Sequence, residues 1–200
     1  MCPWVSSRLR RIDSTPSQGL LSWNWTFDER ESVLLPLNLA GMRQDTETFI
    51  VNAIDLERYL HEHIPLSKAM QVSVVSVQTD GVTLRAPLAP NINHRDTVFG
   101  GSASAVAILA GWSLLHTRLE GAGLSNRLVI QRNTVNYDLP IAGPFTARSF
   151  IQTPAAWDSF MLMLRRKGRA RLTISCILDY DGQRAGRFEG EFVALGPYGA

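Results

Sequence analysis

The sequence predicts an α+β fold in which antiparallel strands wrap one central helix, and three observations carry that prediction. From Phe99 to His116 the chain reads FGGSASAVAILAGWSLLH, small and apolar throughout, with no charge until Arg118. A helix of that composition has no hydrophilic face, so it must be buried on nearly all sides. Residues 72–87, 128–137 and 170–194 carry the alternating pattern of strands with one buried face. Thr79-Asp80-Gly81 and Asp181-Gly182 interrupt that alternation with hairpin signals, which make neighbouring strands antiparallel. One buried helix inside an antiparallel wrap is an α+β architecture.

Residues 1–45 precede this pattern and differ from it. They hold three of the five tryptophans, Trp4, Trp23 and Trp25, without helical or strand periodicity. They are expected to be a poorly ordered extension, a partner-binding segment or sequence upstream of a start at Met42. Residues 46–196 are expected to form a single domain, with 197–200 as a tail. Within it, residues 55–66 read as a helix with Leu56, Tyr59, Leu60 and Ile64 on its apolar side, limited by Pro65. A hairpin follows over residues 72–87, turning at Asp80-Gly81. The central helix ends near Gly121 and Gly123, where C-terminal glycine belongs. Strands over 128–137 and 145–152 come next. Thr153-Pro154 then opens a short helix as N-cap and first-turn proline; Arg165, Arg166 and Lys167 occupy its last turn and Gly168 ends it. Residues 170–180 and 184–194 close the domain as a second hairpin.

Composition narrows the function classes. The chain has 200 residues, 45% of them hydrophobic, and a formal net charge of +2, too small to argue for nucleic acid. The apolar patch between Val33 and Met42 is broken by Pro36 and Asn38 and is too short to span a bilayer. Cys2 and Cys176 have neither metal-ligand nor redox spacing. Cys176 falls on the same strand face as Leu172, Ile174 and Leu178, which makes it a small buried hydrophobe. His61 and His63, two residues apart on a helix, do not face together. No metal, cofactor, nucleic-acid or membrane partner is expected, and the expected location is the cytoplasm.

The order of elements, with its motifs, resembles the hotdog fold, a curved antiparallel sheet around a long central helix. More narrowly, residues 56–195 resemble the thioesterase-type domain found at the C-terminus of YiiD-type bacterial acetyltransferases and also as a stand-alone protein. The blocks that carry this are His61-Glu62-His63-Ile64-Pro65-Leu66-Ser67, Ala86-Pro87-Leu88-Ala89-Pro90-Asn91, Asn93-His94-Arg95 and Thr97-Val98-Phe99-Gly100-Gly101-Ser102. Ala110-Gly111-Trp112, residues 128–132, Tyr137 with Pro140 and Gly143, and Pro154-Ala155-Ala156-Trp157 continue it. The resemblance implies hydrolysis of acyl-coenzyme A or acyl-carrier-protein thioesters, by a homodimer or larger homo-oligomer with the site between subunits. The residues ahead of the domain in this sequence are too few for an acetyltransferase domain. A related branch carries the pattern Asn-x-x-Gly-x-x-His-Gly-Gly with an acid seven residues further on. Asn93, Gly100 and Gly101 match it; Asp96, Phe99 and Ile108 stand in place of the glycine, histidine and acid. The missing acid is the usual base or nucleophile, which isoleucine cannot replace.

Thioester hydrolysis needs stabilisation of a developing oxyanion and activation of water. Backbone amides near Gly100 and Gly101, at the positive end of the helix dipole, suit the first task; close helix packing explains the same glycines. For the second, Asn93 is a candidate to orient water, His94 a candidate base with a suitable intrinsic pKa, and Asp96 a loop carboxylate in place of the missing acid. Phe99 and Ser102 flank the glycines as candidate substrate contacts. Gln131, Asn133 and Tyr137 share one strand face by period two; Gln131 and Tyr137 are candidates to line a partner's site, and plain polarity of an exposed sheet face accounts for them equally well. Arg165, Arg166 and Lys167 open a run of five basic residues in seven. That run is either a solvated helix end or a landing patch for coenzyme A phosphates or an acidic carrier protein. The alternative to a hydrolase is a hotdog protein that binds acyl thioesters without cleaving them, which the loss of the acid at Ile108 favours. A dehydratase would also need that acid.

Overall fold

The computed structural model describes residues 52–125 and 127–196. The expectations for the extension and the tail lie outside the described residues. Helix α1 (Ala53–His63) and the short α2 (Pro65–Ala69) lead into strands β1 (Ser73–Gln78) and β2 (Gly81–Ala86). A 3-10 turn at Ala89–Asn91 precedes α3 (Gly100–Gly121), followed by β3 (Arg127–Tyr137), β4 (Phe145–Phe150), α4 (Pro154–Lys167), β5 (Arg169–Tyr180) and β6 (Gln183–Leu195). The strands form one sheet in the order β1-β2-β4-β5-β6-β3, and every neighbouring pair is antiparallel.

Helix α3 packs against β2, β3, β4, β5 and β6, so the sheet wraps it as its composition requires. Val106, Ala107, Ala110, Leu114 and Leu115 are fully buried, as are Leu84, Ala147, Ile174, Leu178 and Phe192 from the strands. Cys176 is 1% exposed within this core, as its place among Leu172, Ile174 and Leu178 predicts. No helix among the described residues is long and apolar enough to cross a membrane.

Three boundaries differ from the sequence expectation, each for a local reason. The first helix stops at His63, because Pro65 starts a new helical turn with its own missing N–H. The first hairpin turns on Thr79 and Asp80, with Gly81 already paired to Gln78. Gly81 is required for another contact: a Cβ there would lie 2.5 Å from the Ser149 carbonyl oxygen of β4. In the second hairpin Asp181 and Gly182 both have positive φ, the conformation of a type I′ turn. Strand β4 ends at Phe150, two residues early, as the chain departs toward α4.

A bulge at Gln131 shifts the alternation of β3. The pairing runs Ile130 with Phe192, then Arg132 with Glu191, leaving Gln131 as the extra residue. Leu128 and Ile130 before the bulge and Val135 after it pack on the core. The parity change brings Tyr137 to the helix side of the sheet, where the candidate site lies.

Candidate active site

The segment between β2 and α3 is held by polar contacts that its sequence supplies. Buried Asn91 donates through Nδ2 to the carbonyls of Met70 (3.0 Å) and Pro87 (2.8 Å), and its own carbonyl accepts from the Phe99 amide at 2.7 Å. Ile92 and Val98 form a β-bridge, and the Val98 amide donates to the Ile141 carbonyl at 2.7 Å. Asn93 spans the tip: its Nδ2 donates to Thr97 Oγ1 (2.9 Å) and to the Val98 carbonyl (3.2 Å), while its Oδ1 accepts from the Arg95 amide (2.7 Å). Asp96 completes the turn with φ at 58°, a left-handed conformation that Asp tolerates. These bonds fix where α3 begins.

Helix α3 begins without a side-chain cap. The first intrahelical bond is made by the Ala103 amide to the Phe99 carbonyl, so the amides of Gly100, Gly101 and Ser102 have no intrahelical acceptor. Each glycine makes room for an aromatic ring. A Cβ on Gly100 would lie 3.3 Å from the Cζ and hydroxyl oxygen of Tyr137, and one on Gly101 would collide with the ring of Phe99. The Tyr137 hydroxyl donates to the Gly100 carbonyl at 2.7 Å, and burial raises its pKa above the ordinary tyrosine value. Beside this first turn lies a pocket of about 270 Å³ lined by Val98, Gly100, Ala103 and residues 137–141.

Asp138, which sequence reasoning missed, lines that pocket. Its Oδ2 pairs with Nε of Arg184 at 3.2 Å and Nε of Arg187 at 3.5 Å. Its adjacency to Tyr137 in sequence was visible, but its place beside the α3 N-terminus depends on β3 and β6 pairing at that end of the sheet. Of the expected residues, Gly100 and Tyr137 line the pocket. Phe99, Gly101 and Ser102 belong to the same first turn, and the Ser102 hydroxyl has no partner among the described residues. Asn93 is half-buried with both amide atoms committed to its own loop. His94 and Asp96 are exposed on the turn, without a side-chain partner among the described residues and not in the pocket wall. Gln131 sits at the bulge, exposed. Ile108 is half-buried against the core, so the matching position offers apolar surface and no carboxylate.

Arg165, Arg166 and Lys167 do not join this group within one chain. They end α4, whose Trp157 ring lies under the Arg118 guanidinium at 4.1 Å. Arg169, directly after the run, pairs with Leu195, which also pairs with Arg127 just beyond the C-terminal end of α3, so the basic run sits at the end of the central helix opposite Gly100, about 30 Å along its axis. All three residues are exposed. The histidines of α1 serve packing: His61 Nε2 meets the Val72 carbonyl at 2.8 Å and His63 Nδ1 the Tyr59 carbonyl at 3.0 Å. Among the described residues no three of His, Cys, Asp and Glu converge as metal ligands.

A six-stranded, curved antiparallel sheet around a long helix is the hotdog fold. The chain belongs to the family described as "Putative thioesterase (yiiD_Cterm)", whose model matches residues 53–196. A Shewanella oneidensis protein, likewise a "putative thioesterase", shares 25% identity and a TM-score of 0.63 over 72% of this chain and 96% of its own. A Chlorobaculum tepidum protein of unknown function has the same fold, at 24% identity and a TM-score of 0.69 over 74% of this chain and 99% of that one. So does a thioesterase from Haemophilus influenzae, at 12% identity and a TM-score of 0.60 over 74% of this chain and 92% of that one.

Proposed function

We propose that this protein hydrolyses acyl thioesters carried on coenzyme A or an acyl carrier protein, with the thioester carbonyl at the N-terminus of α3. The observation that carries this reading is the uncapped first turn of α3 beside a pocket whose lining residues include Asp138. Amides without intrahelical acceptors and the helix dipole favour an oxyanion. Asp138 takes a proton from water as the water oxygen bonds to the carbonyl carbon. The tetrahedral intermediate then collapses, the carbon–sulfur bond breaks, and the proton passes to the departing thiolate. The Arg184 and Arg187 pairs orient Asp138, Tyr137 positions the helix, and Asn93 shapes the loop. Asp138 thus takes the role for which His94 and Asp96 were the sequence candidates.

The reading includes a homodimer. Among the described residues strand β3 is an outer strand of eleven residues whose one paired neighbour is β6, and such an edge invites pairing. Apolar side chains stand exposed around it: Phe99 at 58%, Tyr137 at 54% and Leu139 at 44%. Two β3 strands pairing antiparallel about a twofold axis would set the Tyr137 end of one against the start of the other. The partner's β6 and β5 follow in order, bringing the partner subunit's Arg165, the partner subunit's Arg166 and the partner subunit's Lys167 to the pocket end. Three strand spacings are about 14 Å, within reach of the phosphates of a bound coenzyme A.

The test is thiol release from acyl-coenzyme A of several chain lengths and from acyl carrier protein, together with native mass. A dimer whose turnover falls by at least about 10² in Asp138→Asn, and by much less in His94→Ala and Asp96→Asn, is the expected result. Wild-type protein that binds acyl thioesters without releasing thiol would replace hydrolysis with the binding function that Ile108 favours.

A further inference from the structure

We propose that the groove between α4 and the free edge of β5 captures an extended, acidic segment of a partner protein as an added strand. Strand β5 pairs with β6 along its whole length, from Arg169 to Tyr180. Its other edge pairs with β4 only between Ser175 and Asp179. Residues 169–174 therefore present about 20 Å of strand edge that no backbone hydrogen bond among the described residues closes. Helix α4, fourteen residues and about 21 Å long, flanks that same stretch. The space between them is a groove of about 920 Å³, lined also by residues 151–153.

The two walls have different chemistry. Ala156, Phe160 and Met163, spaced on one face of α4, give an apolar wall, and Met163 is 40% exposed there. Arg169 and Arg171 supply the cationic rim, and no aspartate or glutamate lines the groove. The acids on β6 nearby are already engaged: Glu191 with Arg132 at 3.5 Å and Glu189 with Gln152 at 3.3 Å. Unpaired backbone groups along an open edge are satisfied by another strand, while alternate side chains of that strand set specificity. Here alternate positions meet apolar α4 and the others meet cations, so the fitting segment alternates apolar and acidic residues. A second copy offering its β3 edge fits poorly, since that strand carries Arg127 and Arg132 and no acid.

Fluorescence anisotropy on the full chain, with a labelled hexapeptide of alternating glutamate and valine, tests this directly. The peptide should bind saturably. A version N-methylated on alternate residues, a lysine–valine version, and the wild-type peptide against Arg171→Glu or Met163→Glu should each bind at least about 10-fold more weakly. Both substituted side chains are exposed, and an unchanged melting temperature shows that each variant is folded. Equal binding of the N-methylated peptide, or indifference to both substitutions, would overturn strand addition. Displacement by laurate would assign the groove to a small amphiphile, and displacement by coenzyme A would make it part of the thioester site. Either result overturns the proposal.

Discussion

The Tyr137 hydroxyl donates to the Gly100 carbonyl at 2.7 Å, joining the last residue of β3 to the first residue of α3. The same ring packs where a Gly100 side chain would stand, so glycine and tyrosine at these two positions depend on each other. Burial keeps the phenol protonated to higher pH than usual, which preserves the donor. This contact sets the helix N-terminus against the wall that carries Asp138.

Tyr137→Phe should separate positioning from stability. The tyrosine is largely exposed, so losing its hydrogen bond costs about 1 kcal/mol or less, seen as a small fall in melting temperature. If the bond positions the first turn, kcat for thiol release should fall about 10-fold with KM little changed, as for an interaction used in the transition state. An unchanged kcat would show that the bond serves the fold alone.

Gly101→Val should act through Phe99. The new side chain occupies the space of the Phe99 ring, and that ring is exposed enough to swing away. Folding should therefore survive with a melting temperature within a few degrees of wild type. Turnover should drop by about 10² or more, the cost of spoiling an oxyanion site. Full activity in a folded Gly101→Val protein would move the carbonyl site away from this turn.

Alkaline stability should report on Cys176. Burial pushes its thiol from the ordinary 9.0 up to about 12, so the folded state holds a proton that the unfolded state releases. The stability this represents is complete below pH 9 and is lost as pH rises toward 12, a full span of about 4 kcal/mol. Denaturant midpoints measured at pH 8, 9 and 10 should fall more steeply for wild type than for Cys176→Ala. Parallel slopes would mean that the thiol ionises without opening the core.

Acid stability should report on His116. Its ring stacks on Tyr59 at 4.8 Å and on Trp112 at 4.6 Å. Burial lowers its pKa below 6.5, His63 adds to the effect, and Glu120 opposes it. The unfolded state therefore takes up the proton first, and stability present above pH 6.5 is lost as pH falls. The melting temperature should drop less between pH 7 and pH 5 in His116→Phe, which keeps a stacking ring, than in wild type. Equal drops would assign the acid sensitivity elsewhere.

The sequence by itself determined the elements, because each reports its own burial. The uncharged run after Phe99 had to be the enclosed helix, the alternation around Cys176 had to be a strand with that thiol inside, and Gly168 had to end α4. It also marked the glycine pair and Tyr137 as candidates. Tertiary structure decided which residues meet. Period-two alternation says which face of β3 is buried but not that β3 pairs with β6 at the sheet's edge, and that pairing carries Tyr137 and Asp138 to the start of α3. Charge marked Arg165, Arg166 and Lys167 as a solvated helix end or a landing patch, and within one chain they lie at the end of α3 opposite the glycines. Asn93 was a candidate to orient water, and only the folded loop shows both of its amide atoms bonded within it. The open edge of β5 was invisible for the same reason: a strand's edges are free or paired according to its neighbours, and no residue in β5 encodes where β4 stops.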